Sequence, residues 1–275
     1  MRPRGGFGLW RGALLTAALV ASLVPLLWTA LASLGVAVDS AYSPPRWRGP
    51  LGFEHFSEGV LSKSGFAASL LHSLGLALLT TALTTLSALL AAFALTRTRV
   101  KGLERAAHTL LLLTNLPLLA YLTPLREILT GLKLYDTWPG ASLAGAALLA
   151  PLATYLLYGY LRRLPLEPEQ AATLEGASPG RVLAQVVWPM SRPGVLATAG
   201  VVFALSWNAF LLPLATTFQL KTLPVALVDF FTFEREPDWP TAAAALMVAL
   251  VPLLLILIPL HRALEHFSLA GFGDE

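Results

Sequence analysis

The chain has no cysteine among its 275 residues. That absence excludes disulfides, thiolate metal sites, haem attachment through CxxCH and cysteine nucleophiles together. Charge is scarce as well. Asp, Glu, Lys and Arg make up 13% of the residues, about half the usual share. Apolar residues reach 56% and mean hydropathy is +0.67. So few charges cannot cover a globular surface, and the composition reads as an integral membrane protein. Strands of a membrane barrel would be about ten residues long with alternating polarity. The apolar runs here are much longer and do not alternate. The expected class is an all-α membrane fold.

Several chemistries are missing too. A P-loop needs lysine after a glycine-rich turn. The four lysines, at 63, 101, 133 and 221, follow Ser62, Val100, Leu132 and Leu220. HExxH does not occur. The stretch from His261 to His266 reads as the polar end of the last helix rather than a zinc motif. No metal and no cofactor is expected in this chain.

What is present is a set of spans. A crossing helix needs about 20 mostly apolar residues. Six such runs are read, at 12–37, 67–95, 106–125, 141–160, 194–215 and 240–260. None carries a charge in its centre, which argues against a proton relay. His72 and His108 lie near helix ends, where packing or interfacial roles are expected. Ala30-Leu31-Ala32 matches a signal-peptidase pattern. The apolar run continues to Val38, longer than the h-region of about 7–15 residues, so the segment reads as a retained helix.

Six spans place both termini on one side. Counting loops that way, 12 of the 19 basic residues share the side of the termini, the 96–106 loop and the 161–193 loop. The basic-rich side is cytoplasmic. This topology also explains the net charge of +3 and the pI near 9.4 without nucleic acid. Membrane lipid is the expected environment.

The segment 161–193 is too long for a turn. Pro165 and Pro168 break the preceding helix, and Glu167, Glu169 and Glu175 gather in a short one. Acids at its start suit the macrodipole. Gly176 suits a helix end or a close backbone approach. Val182, Leu183, Val186 and Val187 form a second amphipathic piece at helical spacing. Pro189 and Pro193 lead back into the membrane. A helix-turn-helix with a small-residue face wants a partner groove. A helix lying on lipid would carry Lys and Arg, but three glutamates and no basic residue lie between Arg163 and Arg181.

This loop resembles the membrane subunits of binding-protein-dependent ABC importers, whose signature is EAA, three residues, G, nine residues, I-x-L-P. Here Gln170-Ala171-Ala172, Gly176 and Val186-Val187-Trp188-Pro189 keep those spacings. Gln170, Val186 and Trp188 depart from the usual Glu, Ile and Leu. Glu169, beside Gln170, is a candidate substitute for the signature glutamate. The resemblance extends along most of the chain and is closest to the carbohydrate branch, the maltose- and trehalose-type second permease subunit. Its carriers are His72-Ser73, Ala94-Leu95-Thr96-Arg97, Leu134 to Gly140, and Trp207-Asn208. The end differs: Ser268 to Gly273 replaces the usual G-L-T-x-G-A-V-K-G.

The resemblance implies a non-catalytic permease subunit in the cytoplasmic (inner) membrane of a bacterium or archaeon. It would form half a translocation pathway for a sugar or sugar-like solute. Implied partners are a second permease subunit, two ATPase subunits that bind ATP and Mg, and an extracytoplasmic binding protein. Glu169, Gln170, Ala171, Ala172, Gly176, Val186 and Pro189 would couple to the ATPases. Asn115, Tyr121, Trp207 and Asn208 are candidates for the pathway, with helix bridging the competing role for Asn115 and Asn208. Rival readings are an importer of amino acids, peptides or osmolytes, a stand-alone secondary carrier, and an intramembrane hydrolase. The carrier would show an inverted repeat, and none is visible. The hydrolase would need a central histidine or aspartate in a span.

Overall fold

The computed structural model describes residues 5–39, 46–48, 51–61, 65–97, 102, 105, 109, 112, 117–231 and 239–271. The chain runs through α1 (Gly5–Ser33), β1 (Ala37–Asp39), β2 (Arg46–Arg48), a π-helical turn over His55–Leu61, and α2 (Phe66–Arg97). Next come α3 (Leu118–Gly131), α4 (Trp138–Leu161), α5 (Glu167–Leu174) and α6 (Pro179–Val182). A π turn over Leu183–Val187 joins α6 to α7 (Trp188–Trp207). Then follow α8 (Leu211–Thr216), α9 (Leu223–Leu227), a 3₁₀ turn over Val228–Phe231, and α10 (Trp239–Gly271). Among the described residues the strands are β1 and β2, paired antiparallel with Val38 opposite Trp47.

Five helical runs among the described residues are long and apolar enough to cross a membrane: 12–33, 66–97, 138–161, 179–207 and 239–256. Most of the first half of the expected third span, 106–125, lies outside the described residues, as does His108. Its described end, α3, continues through Arg126 and Glu127 to Gly131, because both are good helix formers.

Other span boundaries differ from expectation, among them those of the first and fifth spans. The first helix ends at Ser33, not 37. Gly35 takes φ +89°, and Val36 N–H donates to the Leu31 carbonyl at 3.1 Å, a left-handed glycine closure. The fifth span is not continuous over 194–215. Its helix begins at Pro179 and stops at Trp207. Asn208 caps it with ψ near 0°. Pro213 has no N–H to offer the Ala209 carbonyl, so the helical ladder cannot run through this stretch.

The chain divides into two compact units, 1–67 with 226–251 and 68–225 with 252–275. In the first, Phe66 meets Phe230 edge-on with centroids 6.2 Å apart. His55 Nδ1 lies 3.4 Å from Thr241 Oγ1.

In the second unit, α2, α4 and α7 share one core: Leu89 and Ala92, Leu157 and Leu161, Val195 and Val202. Val182 and Val187 belong to the same core, so it reaches directly into the 161–193 segment. Thr137 caps α4, accepting from Gly140 N–H at 3.2 Å, with Pro139 in the first turn. Small residues let these helices approach closely. Any Cβ on Gly75 would strike the Trp138 ring, and one on Gly145 would sit 3.0 Å from the Thr80 methyl. His72 packs edge-on to the same Trp138, with centroids 5.7 Å apart.

The turn before α4 is fixed by Asp136. Its backbone N–H donates to the Thr216 carbonyl at 3.0 Å. Its carboxylate accepts from Phe218 N–H at 2.8 Å and Gln219 N–H at 3.0 Å. Chain leaving α8 is thereby tied to chain entering α4.

The close approach at Gly75 gives a test. Gly75→Leu should destabilise the purified protein by about 2 kcal/mol, as overpacking does. Gly131, where a Cβ meets nothing within 4 Å, should accept alanine with a change within about 0.5 kcal/mol. Thermal unfolding followed by tryptophan fluorescence separates the two. Equal midpoints for both variants would show that the α2–α4 contact is not tight.

Candidate functional site

α5 is eight residues long, too short to hold a helix alone in water. Its start suits it locally: Pro168 lies in the first turn, with Glu167 and Glu169. Its end is closed by Gly176 at φ +84°. Ala177 N–H donates to the Ala172 carbonyl at 3.0 Å, and Gly176 N–H to Thr173 at 3.0 Å. The expectation of a helix end at Gly176 holds. A Cβ there would meet nothing within 4 Å, so within this chain no group presses on the glycine.

The orientation of α5 comes from an ion pair. Arg97, the last residue of α2, donates from Nε to Glu169 Oε2 at 2.7 Å and from Nη2 to Oε1 at 2.6 Å. The same Nη2 donates to the Leu161 carbonyl at 3.3 Å, in the last turn of α4. Glu169 is 7% exposed, the one buried charged side chain among the described residues.

The loop residues therefore divide between two faces. Glu169 points inward, Ala172 and Val186 pack partly against the core, and Val187 is fully buried. Gln170, Ala171, Gly176 and Pro189 face outward. Leu174 stands 90% exposed on the outward side. The second amphipathic piece at 182–187 belongs to the start of the helical run over 179–207, the expected fifth span, rather than to a separate helix. Two roles were not legible in the sequence. Arg97 carries part of the resemblance, but its partner is 72 residues away. Leu174 is a leucine among three glutamates, a signal of an outward-facing apolar contact.

The pathway candidates do not converge in the described structure. Asn115 lies outside the described residues. Tyr121 is half-buried on α3. Trp207 is 3% exposed and stacks on Phe203, with centroids 5.8 Å and planes 17° apart. Asn208 is exposed, and its Nδ2 donates to the Ala204 carbonyl of its own helix at 2.8 Å. Trp207 also lines a cavity with about 30 Å³ of room, beside Ser73, Thr80, Ser206, Thr216 and Thr222. That room suits a water or two and no sugar ring. Among the described residues no three His, Asp or Glu side chains are placed to hold a metal.

The chain is 32% identical over 244 residues to the trehalose transport system permease protein SugB of Mycobacterium tuberculosis, covering 86% of this chain and 87% of that one. It is 31% identical over 261 residues to the sulfoquinovosyl glycerol transport system permease protein SmoH of Agrobacterium fabrum, covering 92% and 90%. Its fold matches a chain of a bacterial ABC transporter involved in import of the acidic polysaccharide alginate. The TM-score is 0.75 at 15% identity, over 93% of this chain and 95% of that one. The family model described as binding-protein-dependent transport system inner membrane component matches residues 4–266. The chain is thus a multi-pass membrane protein belonging to the family of inner membrane components of binding-protein-dependent transport systems.

Proposed function

We propose that this chain is one of two permease subunits of an ATP-driven importer for a sugar or sugar-like solute, and that α5 is its docking helix for an ATPase subunit. The observation that carries the reading is the two-faced loop: α5 is pinned inward by Glu169 and presents Gln170, Ala171 and Leu174 outward. A nine-tenths exposed leucine on a short helix, with an alanine beside it, suits a groove on another protein. The sugar assignment rests on the names of the relatives at 31–32% identity, together with Trp207-Asn208 and the Leu134–Gly140 turn.

In this reading the third span covers 106–125 and completes six. The termini and the 161–193 segment face the cytoplasm. ATP and Mg sit in two separate ATPase subunits, and an extracytoplasmic binding protein delivers the solute. Closure of the ATPases pushes on α5, and the two permease subunits rock between inward- and outward-facing forms. The present chain supplies half of the path and the lever.

Topology is testable in a chain without cysteine. Single cysteines at Ser57, Thr173 and Ser268 should differ toward an impermeant thiol reagent on whole cells: only position 57 should react. Labelling at 173 would reverse the orientation.

Docking is tested at Gly176. Gly176→Trp adds a Cβ that meets nothing within 4 Å in this chain, at a local backbone cost of about 1–2 kcal/mol for the left-handed conformation. The membrane helices should insert normally. ATPase subunits should co-purify about tenfold less, equivalent to about 1.4 kcal/mol, and binding protein should no longer stimulate hydrolysis. Normal co-purification and stimulation in this variant would refute docking through α5. Uptake that followed a proton or sodium gradient without ATP would return the secondary carrier.

A further inference from the structure

We propose that Arg97 is a positioning residue for energy coupling. Its guanidinium joins the end of α2, the end of α4 and the docking helix α5 into one body, and Glu169 is committed to it rather than to a cation on a partner. This rests on the reading of α5 as the ATPase-docking helix.

The geometry assigns that role. Two nitrogens of Arg97 reach two different oxygens of Glu169, at 2.7 and 2.6 Å. A planar fork on a planar carboxylate fixes orientation as well as distance. A third bond from the same side chain reaches Leu161, at 3.3 Å. Three helix ends therefore meet at one group. Alternative anchors for α5 are weak. Its side chain in the shared core is Ala172, with Ala177 just beyond its end, and both are small. Its largest apolar side chain, Leu174, points away. Without the pair α5 has contact but no fixed angle. A push on its outer face would then turn the helix instead of moving α2 and α4.

Burial makes the pairing exclusive. The side chains of Arg97 and Glu169 are 17% and 9% exposed. A partner's cation cannot reach Glu169 unless Arg97 leaves, and an unpaired buried charge is strongly unfavourable. The seat usually held by glutamate in the signature is occupied here by the exposed Gln170. The one inward glutamate serves this chain's own frame.

The test uses the whole complex, with both permease subunits, both ATPases and the binding protein. Arg97→Gln and Glu169→Gln should each lower the ratio of stimulated to basal ATP hydrolysis about tenfold, a coupling energy within the range of buried networks. Arg97→Lys keeps the charge and loses the fork, so it should fall between. The double reversal Arg97→Glu with Glu169→Arg should recover at least about a third of the ratio, although each single reversal fails. A cysteine at Leu174 reports docking through its cross-link to the ATPase. A wild-type cross-link together with normal coupling in Arg97→Gln overturns the positioning role and leaves docking intact. Loss of coupling in Glu169→Gln but not Arg97→Gln, with no recovery on reversal, assigns Glu169 to a partner's cation and also overturns it. No cross-link in the wild type removes the docking reading, and the positioning role with it.

Discussion

The contact of Arg97 with Glu169 is where the membrane part of this protein becomes continuous with its outward-facing loop. An eight-residue helix gains too few hydrogen bonds to repay its nucleation, so α5 exists because tertiary contacts hold it. The apolar contribution of α5 is modest, since Ala172, and Ala177 just beyond its end, are small and only partly buried. A buried ion pair is weak as a source of stability, but strong in specifying geometry when both oxygens are engaged. That division of labour suits a loop that must transmit force. The core holds the loop down and the fork sets its angle.

The body that would receive such a force is built from small residues. Gly75 admits the Trp138 ring, Gly145 admits the Thr80 methyl, and Gly194 lies against the ring of Tyr160. In lipid the helices gain little from hydrophobic exclusion, so close van der Waals contact carries the association. Larger residues at these three points would separate α2, α4 and α7. Asp136 adds a polar tie far along the sequence from the ion pair, gathering backbone donors from 218–220.

Hydropathy made the long spans legible because it measures what lipid requires: length and a lack of charge. It located α2 and α4 to within three residues of their ends. It failed at 194–215, where apolar character continues but the hydrogen-bond ladder does not. Lipid preference is blind to Asn208 and Pro213 acting together. The closure at Gly176 was readable from glycine's tolerance of positive φ, whereas the one at Gly35 was overrun by the apolar pattern. The same closure at Lys133, φ 59°, was not readable, since lysine carries no such signal. The signature spacing marked the loop, yet spacing alone did not say which residues turn inward. Glu169 is chosen over Glu167 and Glu175 by the position of Arg97, a fact of tertiary structure.

The break after Trp207 has its own logic. Trp207 stacks on Phe203 and fills the inner side, while Asn208 turns its amide back to the Ala204 carbonyl on the outer side. The Trp207 ring is buried, and Asn208 adds its side-chain amide to a carbonyl that already accepts its backbone N–H at 3.2 Å. Beside them, the orphaned hydroxyl of Thr222 lines a cavity of water size. A bound water there would complete the hydrogen bonding that the helix gives up, as buried polar groups require. Tryptophan followed by asparagine is therefore explained by the needs of an interrupted membrane helix before any contact with solute is invoked. Such an interruption leaves α8 joined to α7 by the non-helical stretch 208–210, in which Ala209 N–H still donates to the Ser206 carbonyl at 3.2 Å.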